Sequence, residues 1–307
     1  MRILVTGGAG FIASHITDRY LALGHEVAVL DNLSTGKQEN LNPGARFFAV
    51  DLTDTAAVAG ALAEFRPEVV NHHAAQASVA LSVREPQFDA QTNVLGMVNL
   101  LEAARAVGVR RVLYSSTGGA IYGETDQLPT PEDHPLQPLS PYGCSKLCGE
   151  HYLATWHRLH GQEYVIFRYG NVYGPRQSPH GEAGVVSIFA GMMLEGKQPT
   201  VFGAGHKTRD YVYVADVVEA SVRALEGPGN DVFNIATSRP TSDAEVYATI
   251  AAAAGYPEPP IHGPERRGDL QHSCLDHSKA RRVLGWEPRV SFAEGVAETV
   301  AYLRSDK

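Results

Sequence analysis

Tyr142 and Lys146 stand four residues apart in a stretch whose spacing predicts a helix. Both side chains therefore share one face. An ammonium beside a phenol favours phenolate, and is expected to pull the Tyr142 pKa from about 10 towards neutrality. Such a phenol takes a proton from an alcohol and returns it to the ketone. A Tyr-x-x-x-Lys pair alone also describes an ordinary surface helix. Here Ser115-Ser116-Thr117 follow a short apolar run, Val112 to Tyr114. Their hydroxyls are expected at the carboxyl edge of a sheet, where open α/β folds bind ligands. Tyr142 and Lys146, with a hydroxyl among Ser115, Ser116 and Thr117, are thus the candidate catalytic residues.

A second cluster suits a diphosphate. Gly7-Gly8-Ala9-Gly10-Phe11-Ile12-Ala13 lie between a first strand and a first helix. Glycines let the backbone approach a ligand, and a helix N-terminus offers free N–H groups and partial positive charge. Asp31 ends the next strand, where a carboxylate accepts hydrogen bonds from both ribose hydroxyls. The same charge repels a 2′-phosphate, so NAD is expected rather than NADP. Asp51-Leu52, after the third strand, are placed to cover the adenine edge.

Both clusters need a parallel sheet to hold them. Apolar runs occur at Ile3 to Val5, Val27 to Leu30, Phe47 to Val50, Val69 to Val70, Val112 to Tyr114 and Val165 to Phe167. Helical patterns, such as Thr55 to Phe65, Phe88 to Val107 and Tyr142 to Leu159, separate most of them. Strands alternating with helices predict an α/β fold, a doubly wound parallel sheet of Rossmann type. The rhythm breaks after Gly174-Pro175. Residues 1–174 are read as the NAD-binding domain, with later segments near 210–236 rejoining it. Residues 175–307 are read as mainly a smaller, discontinuous lobe for substrate. Helices are expected over Val185 to Leu194, Asp216 to Leu225, Ser278 to Leu284 and Phe292 to Leu303, and strands at Val201-Phe202 and Val232 to Ile235.

The 307 residues are 44% hydrophobic and 20% charged, which excludes a disordered chain. A net charge of -8 disfavours general nucleic-acid binding. No run of about 20 apolar residues predicts a membrane span. Met1 to Gly7 lead straight into a strand pattern without a signal peptide's apolar stretch, and three cysteines are too few for a disulfide framework. A cytoplasmic protein is expected. Cys144 and Cys148, one helical turn apart, are read as packing thiols and His72-His73 as structural. No metal site is expected.

Together the motifs resemble the extended short-chain dehydrogenase/reductase family. The resemblance is carried by Thr6-Gly7-Gly8-Ala9-Gly10-Phe11-Ile12, Asp31-Asn32-Leu33-Ser34, Asn93, Ser115-Ser116-Thr117 and Tyr142-Gly143-Cys144-Ser145-Lys146. Further marks are Arg168-Tyr169-Gly170-Asn171-Val172-Tyr173-Gly174-Pro175, Arg209-Asp210-Tyr211-Val212 and Arg266-Arg267-Gly268-Asp269. Ala13 departs from the usual third glycine. Within the family the chain is most similar to the 4-epimerases of UDP-glucose and UDP-galactose.

The resemblance implies a cofactor site of Gly7, Gly10, Phe11, Ile12, Asp31, Asn32, Ser34, Thr35, Gly36, Asp51, Leu52, His73, Ala74, Ala75, Gln76, Asn93, Ser115, Tyr142, Lys146 and Tyr169. It implies a UDP-sugar site of Thr117, Tyr142, Asn171, Val185, Val186, Arg209, Arg266, Asp269 and Ser273. By the same analogy Tyr142 removes the sugar 4-hydroxyl proton while C4 gives hydride to NAD. Thr117 holds the same oxygen, and Lys146 holds the nicotinamide ribose. Arg209 and Arg266 anchor the diphosphate, and Asp269 holds the uridine ribose. Helices matching Phe88 to Val107 and Tyr142 to Leu159 pair two subunits in the family, so a homodimer is expected.

Two positions narrow the chemistry further. Sugar 4,6-dehydratases follow the Thr with Asp-Glu, and decarboxylating relatives carry a Glu there. This chain has Gly118-Gly119. Ser273 stands where a bulky residue narrows the sugar pocket of some epimerases, so room for an N-acetyl group is expected. The alternatives are a UDP-glucuronate 4-epimerase, a reductase or dehydratase of another nucleotide sugar, or an NAD-sensing protein without chemistry. The intact Thr117, Tyr142 and Lys146 speak against the last.

Overall fold

The computed structural model describes residues 1–179, 184–265 and 270–305. Its centre is a seven-stranded sheet in which every neighbouring pair is parallel. The strands are β1 (Arg2–Thr6), β2 (Glu26–Asp31), β3 (Arg46–Ala49), β4 (Val69–His72), β5 (Arg111–Thr117), β6 (Glu163–Tyr169) and β10 (Asp231–Ile235). Their order is β3-β2-β1-β4-β5-β6-β10. The direction of winding reverses between β1 and β4, and ligands of such sheets bind in the crevice at that switch point.

Helices α1 (Phe11–Ala22), α2 (Thr55–Phe65), α3 (Val79–Arg84), α4 (Pro86–Ala90), α5 (Gly96–Ala106), α6 (Gly118–Ile121) and α7 (Pro141–His160) belong to the same half of the chain. Apolar clusters lie on both faces of the sheet. One gathers Ile3, Ile16, Phe167, Phe233 and Trp286, and the other Leu4, Leu62, Leu100, Tyr114 and Ile166. Two covered faces explain why the strands read as unbroken apolar runs rather than as alternation.

The remaining strands are β7 (Asn171–Tyr173), β8 (Thr200–Phe202), β9 (Thr208–Tyr213), β11 (Pro240–Ser242) and β12 (Ile261–Gly263). They form a three-stranded sheet, β11-β9-β7, and a parallel pair, β12-β8. Helices α8 (Val185–Leu194), α10 (Asp243–Ala254) and α12 (Phe292–Ser305) surround a third cluster that includes Val186, Tyr211, Tyr247 and Val296. Helix α9 (Val214–Arg223) packs on α1, and α11 (Ser278–Leu284) on β10. Within the segment 210–236, β10 pairs with β6, whereas β9 pairs with β7 and β11.

Three local differences from the sequence pattern bear on the site. Strand β5 runs through Thr117, so the three hydroxyl residues end the strand rather than follow it. The single helix expected over Phe88 to Val107 is α4 and α5 joined by a π-helical turn, Gln91–Leu95. Hydrophobic spacing does not register one inserted residue, and such turns recur at functional sites. Helix α7 begins one residue early: Ser140 Oγ accepts from the Gly143 N–H at 3.1 Å, and Pro141 occupies the first turn.

Candidate functional site

A cleft of about 310 Å³ opens at the carboxyl ends of β1, β2, β4 and β5. One wall is the loop Gly7 to Gly10. Gly7 has φ +71°, and a Cβ there would lie 2.7 Å from the Ala74 nitrogen. The Gly10 N–H donates to the Gly7 carbonyl at 2.9 Å, closing the turn into α1. No side chain caps that helix, and its first turn holds no acid. Its N–H dipoles are therefore left for an anion. Alanine at position 7 adds left-handed strain and pushes the loop off Ala74. Gly7→Ala is expected to weaken NAD binding at least about tenfold, read by fluorescence titration.

Asp31 is held in place by its neighbours: Oδ2 accepts from the Ala9 N–H at 3.0 Å and Oδ1 from the Leu33 N–H at 2.8 Å. Asn32 donates to Asp51 Oδ2 at 2.6 Å. Hydrogen bonds from the Thr53 side chain and backbone hold the Asp51 carboxyl below its usual range. Among the described residues the only ammonium or guanidinium lining the cleft belongs to Lys146. A 2′-phosphate would thus meet two carboxylates and no cation beside Asp31. The glycine cradle, the uncapped helix and Asp31 fit NAD.

The other wall carries the proton-transfer groups. Tyr142 and Lys146 project from α7 into the cleft, and Thr117, at the end of β5, stands near enough to Tyr142 to favour its phenolate. The expected depression of the Tyr142 pKa is not what this structure shows. Burial, with the Asp89 carboxylate next, raises it to about 12, and only the nearby Thr117 hydroxyl opposes. Lys146 Nζ lies 4.8 Å from the centre of the Tyr114 ring. Burial lowers Lys146 to about 8, against the pull of Asp89 and Glu150. Helical spacing puts the pair on one face, but it did not reveal how dry that face is.

Asp89 is itself buried, and its Oδ1 accepts from Gln76 Nε2 at 2.8 Å and Asn93 Nδ2 at 3.1 Å. Asp89→Asn removes a negative charge that opposes the Tyr142 phenolate. The phenol then ionises at lower pH, so the acidic limb of kcat/KM is expected to move to lower pH. Paired pH–rate profiles check this, and an unmoved or alkaline-shifted limb counts against it.

Of the residues expected around the cofactor, Gly7, Gly10, Phe11, Ile12, Asp31, Asn32, Ser34, Thr35, Gly36, Asp51, Leu52, His73, Ala74, Ala75, Ser115, Tyr142, Lys146 and Tyr169 line the cleft. Gln76 and Asn93 lie buried behind it, bonded to each other: the Gln76 N–H donates to Asn93 Oδ1 at 2.8 Å. His73 stacks on Tyr169 and shares a 3.1 Å hydrogen bond with its hydroxyl. Burial lowers His73 to about 3, which keeps it neutral and removes it from acid–base work. Ala13, Leu30, Val50, Ala77, Thr92 and Ser116 also line the cleft and were not singled out. Ala13 and Ser116 lay inside quoted motifs, whereas Thr92 sits in the π turn that the pattern did not show.

Apart from Tyr142, none of the substrate-side residues that the structure describes lines this cleft. Asn171 begins β7, and its Oδ1 is 3.7 Å from where a Gly119 Cβ would stand. Arg209 on β9 donates to the carbonyls of Thr208 and Leu270, each at 2.8 Å. The Ser273 N–H donates to the Thr208 carbonyl at 3.1 Å, beside it. Val185 and Val186 open α8, Val186 fully buried. Arg266 and Asp269 lie outside the described residues. Cys144, Cys148 and Cys274 are unpaired, and the described residues contain no cluster of three metal-ligating side chains.

A switch-point cleft with a dinucleotide cradle and a Thr–Tyr–Lys set defines a nicotinamide-dependent enzyme of the doubly wound α/β class. The chain belongs to the NAD dependent epimerase/dehydratase family, whose model matches residues 3–236. It is 50% identical to a UDP-glucose 4-epimerase of Mycolicibacterium smegmatis, over 99% of both chains. Its structure superposes on the UDP-glucose 4-epimerase of Thermotoga maritima, solved with UDP-glucose, with a TM-score of 0.98 and 50% identity over 100% of this chain and 99% of the other. The UDP-glucose 4-epimerase of Thermus thermophilus, solved in complex with NAD, gives 0.95 at 48% identity over the whole of both chains.

Proposed function

We propose that this protein interconverts UDP-galactose and UDP-glucose by NAD-dependent 4-epimerisation through a transient 4-keto sugar. The observation that carries the reading is the Thr117–Tyr142–Lys146 set at the cleft edge, followed by Gly118-Gly119 with no ionisable group. NAD, when bound, supplies reversible hydride acceptance and a positive charge close to the phenol. Tyr142 Oη takes the 4-hydroxyl proton and later returns it. The Thr117 hydroxyl holds the same oxygen, and Lys146 would hold the nicotinamide ribose. Arg209 and Arg266 anchor the diphosphate while the sugar turns, with Asn171 and Asp269 on the nucleotide side. Incubation of the purified protein with UDP-galactose, without added NAD, is expected to yield UDP-glucose on chromatography. No conversion with or without added NAD would overturn the reading.

The small Ser273 beside Arg209 supports turnover of UDP-N-acetylglucosamine as well. Activity on UDP-glucose alone would count against that extension.

The same reading includes a homodimer. Val79, Val83, Phe88, Leu95 and Leu159 are exposed on or beside α3, α4, the π turn and α7. An apolar face on adjoining helices is the kind of surface a second copy covers. No helix among the described residues is long and apolar enough to cross a membrane. The unpaired cysteines suit a reducing compartment, in keeping with a cytoplasmic location.

A further inference from the structure

We infer that Glu150 and Arg168 are positioning residues for the proposed reaction, and that through Ser116 they set helix α7 against strand β5 so that Tyr142 meets Thr117. The inference rests on the 4-epimerase reading above. Neither residue lines the cleft, and neither is among the candidate catalytic groups.

Tyr142, Lys146 and Glu150 follow one another at four-residue intervals on α7, so all three face the sheet. Ser116 and Arg168 are register partners on β5 and β6. The geometry joins the two elements directly. Ser116 Oγ donates to Glu150 Oε1 at 2.5 Å. Arg168 donates to the same carboxylate with Nε at 3.1 Å and Nη2 at 2.7 Å. Its remaining nitrogen, Nη1, donates to the Tyr122 hydroxyl and the Glu132 carbonyl, both at 2.9 Å. The Tyr122 hydroxyl in turn donates to Asn234 Oδ1 at 2.8 Å, which ties the pair to β10. Both charged side chains are 5% exposed.

A buried ion pair is weak evidence for stability, because well-packed apolar residues of similar volume often replace one without loss. What such residues would not reproduce is the directed bond to Ser116, the residue next to Thr117. The only other hydrogen bond from β5 to the middle of α7 found among the described residues is long, from the Tyr114 hydroxyl to the Lys146 carbonyl at 3.3 Å. Other helices and the core also hold α7, but the Glu150 tether is the directed bond that fixes its position against the strand beside Thr117. A misplacement of about 1 Å in a reacting group costs about 100-fold in rate.

The test compares wild type, the double variant Glu150→Met/Arg168→Met, Ser116→Ala and Ser116→Thr. Removing both charges together avoids leaving one buried and unpaired. The double variant is expected to melt within about 5 °C of wild type. It should keep KM for UDP-galactose within about twofold and lose about 100-fold in kcat. A folded double variant with wild-type kcat overturns the inference. If the double variant does not fold, the serine variants decide. Ser116→Ala should lower kcat about tenfold at unchanged KM, and Ser116→Thr, which restores the hydroxyl, should recover it. Ser116→Ala at wild-type kcat overturns the inference. A wild type inactive on every sugar nucleotide would instead remove the reading beneath it, and the two failures are told apart by that first assay.

Discussion

Tyr142→Phe is expected to lower kcat about 1,000-fold while NAD and UDP still bind, because it removes the oxygen proposed to move the substrate proton and little else. Phenylalanine keeps the ring and its packing on α7. It removes the hydroxyl whose ionisation the nearby Thr117 favours, the one influence found to lower the phenol's pKa in a site where burial raises it to about 12. A phenol held so firmly neutral is a poor base until positive charge arrives, so proton removal is tied to a filled cleft. Lys146 is buried and lowered to about 8, and Asp89 helps keep it protonated. Turnover of UDP-galactose reads the loss, and the absorbance of cofactor carried through gel filtration reads retention. A fall in kcat of less than about tenfold would assign the proton transfer to another group. A protein that merely senses NAD would be indifferent to the change.

The sheet was legible because β1, β2, β4, β5 and β6 are covered on both faces, and such strands are written as short apolar runs between helices. The cradle and the Tyr–Lys pair were legible for a related reason. Both are local: seven consecutive residues in one, one helical turn in the other. What pattern does not carry is anything made by distant segments or by burial. Asp89 faces Lys146 from another helix, α4, and nothing in the residues flanking Asp89 or Glu150 marks either as buried. The π turn adds one residue to a helix whose hydrophobic spacing reads as continuous. The Tyr142 pKa was misjudged in sign, since the sequence shows the ammonium four residues away but not the desolvation that outweighs it. Glu150 had a signal that went unused: it extends the Tyr142–Lys146 spacing by one more turn on the same face.

Gly118 illustrates the same divide and gives the second large expected effect. The sequence shows only that position 118 lacks the acid a dehydratase would need. The structure shows why no side chain stands there. A Cβ on Gly118 would overlap Leu275 Cδ1 and come within 3.0 Å of Cδ2. Leu275 is buried with Ile121, Tyr122 and Ala236, and it has little room to retreat. Its N–H donates to Asp210 Oδ2 at 3.2 Å, and its carbonyl accepts from Ser238 Oγ at 2.8 Å. Gly118→Ala is therefore expected to cost about 1–3 kcal/mol from overpacking. Gly118→Asp should cost about 4 kcal/mol or more, because it adds a buried carboxylate without a partner. Leu275→Ala alone opens a cavity and costs about 2–5 kcal/mol. The two alanine changes should not add: methyl meets cavity, and the double variant should be at least about 1 kcal/mol more stable than their sum. Thermal and urea melts of the four proteins measure that coupling. Strict additivity would mean that Leu275 yields freely and that the missing acid at position 118 has no steric cause. Positive coupling would make Leu275, a residue from the far end of the chain, the reason that no carboxylate stands beside Thr117 at position 118.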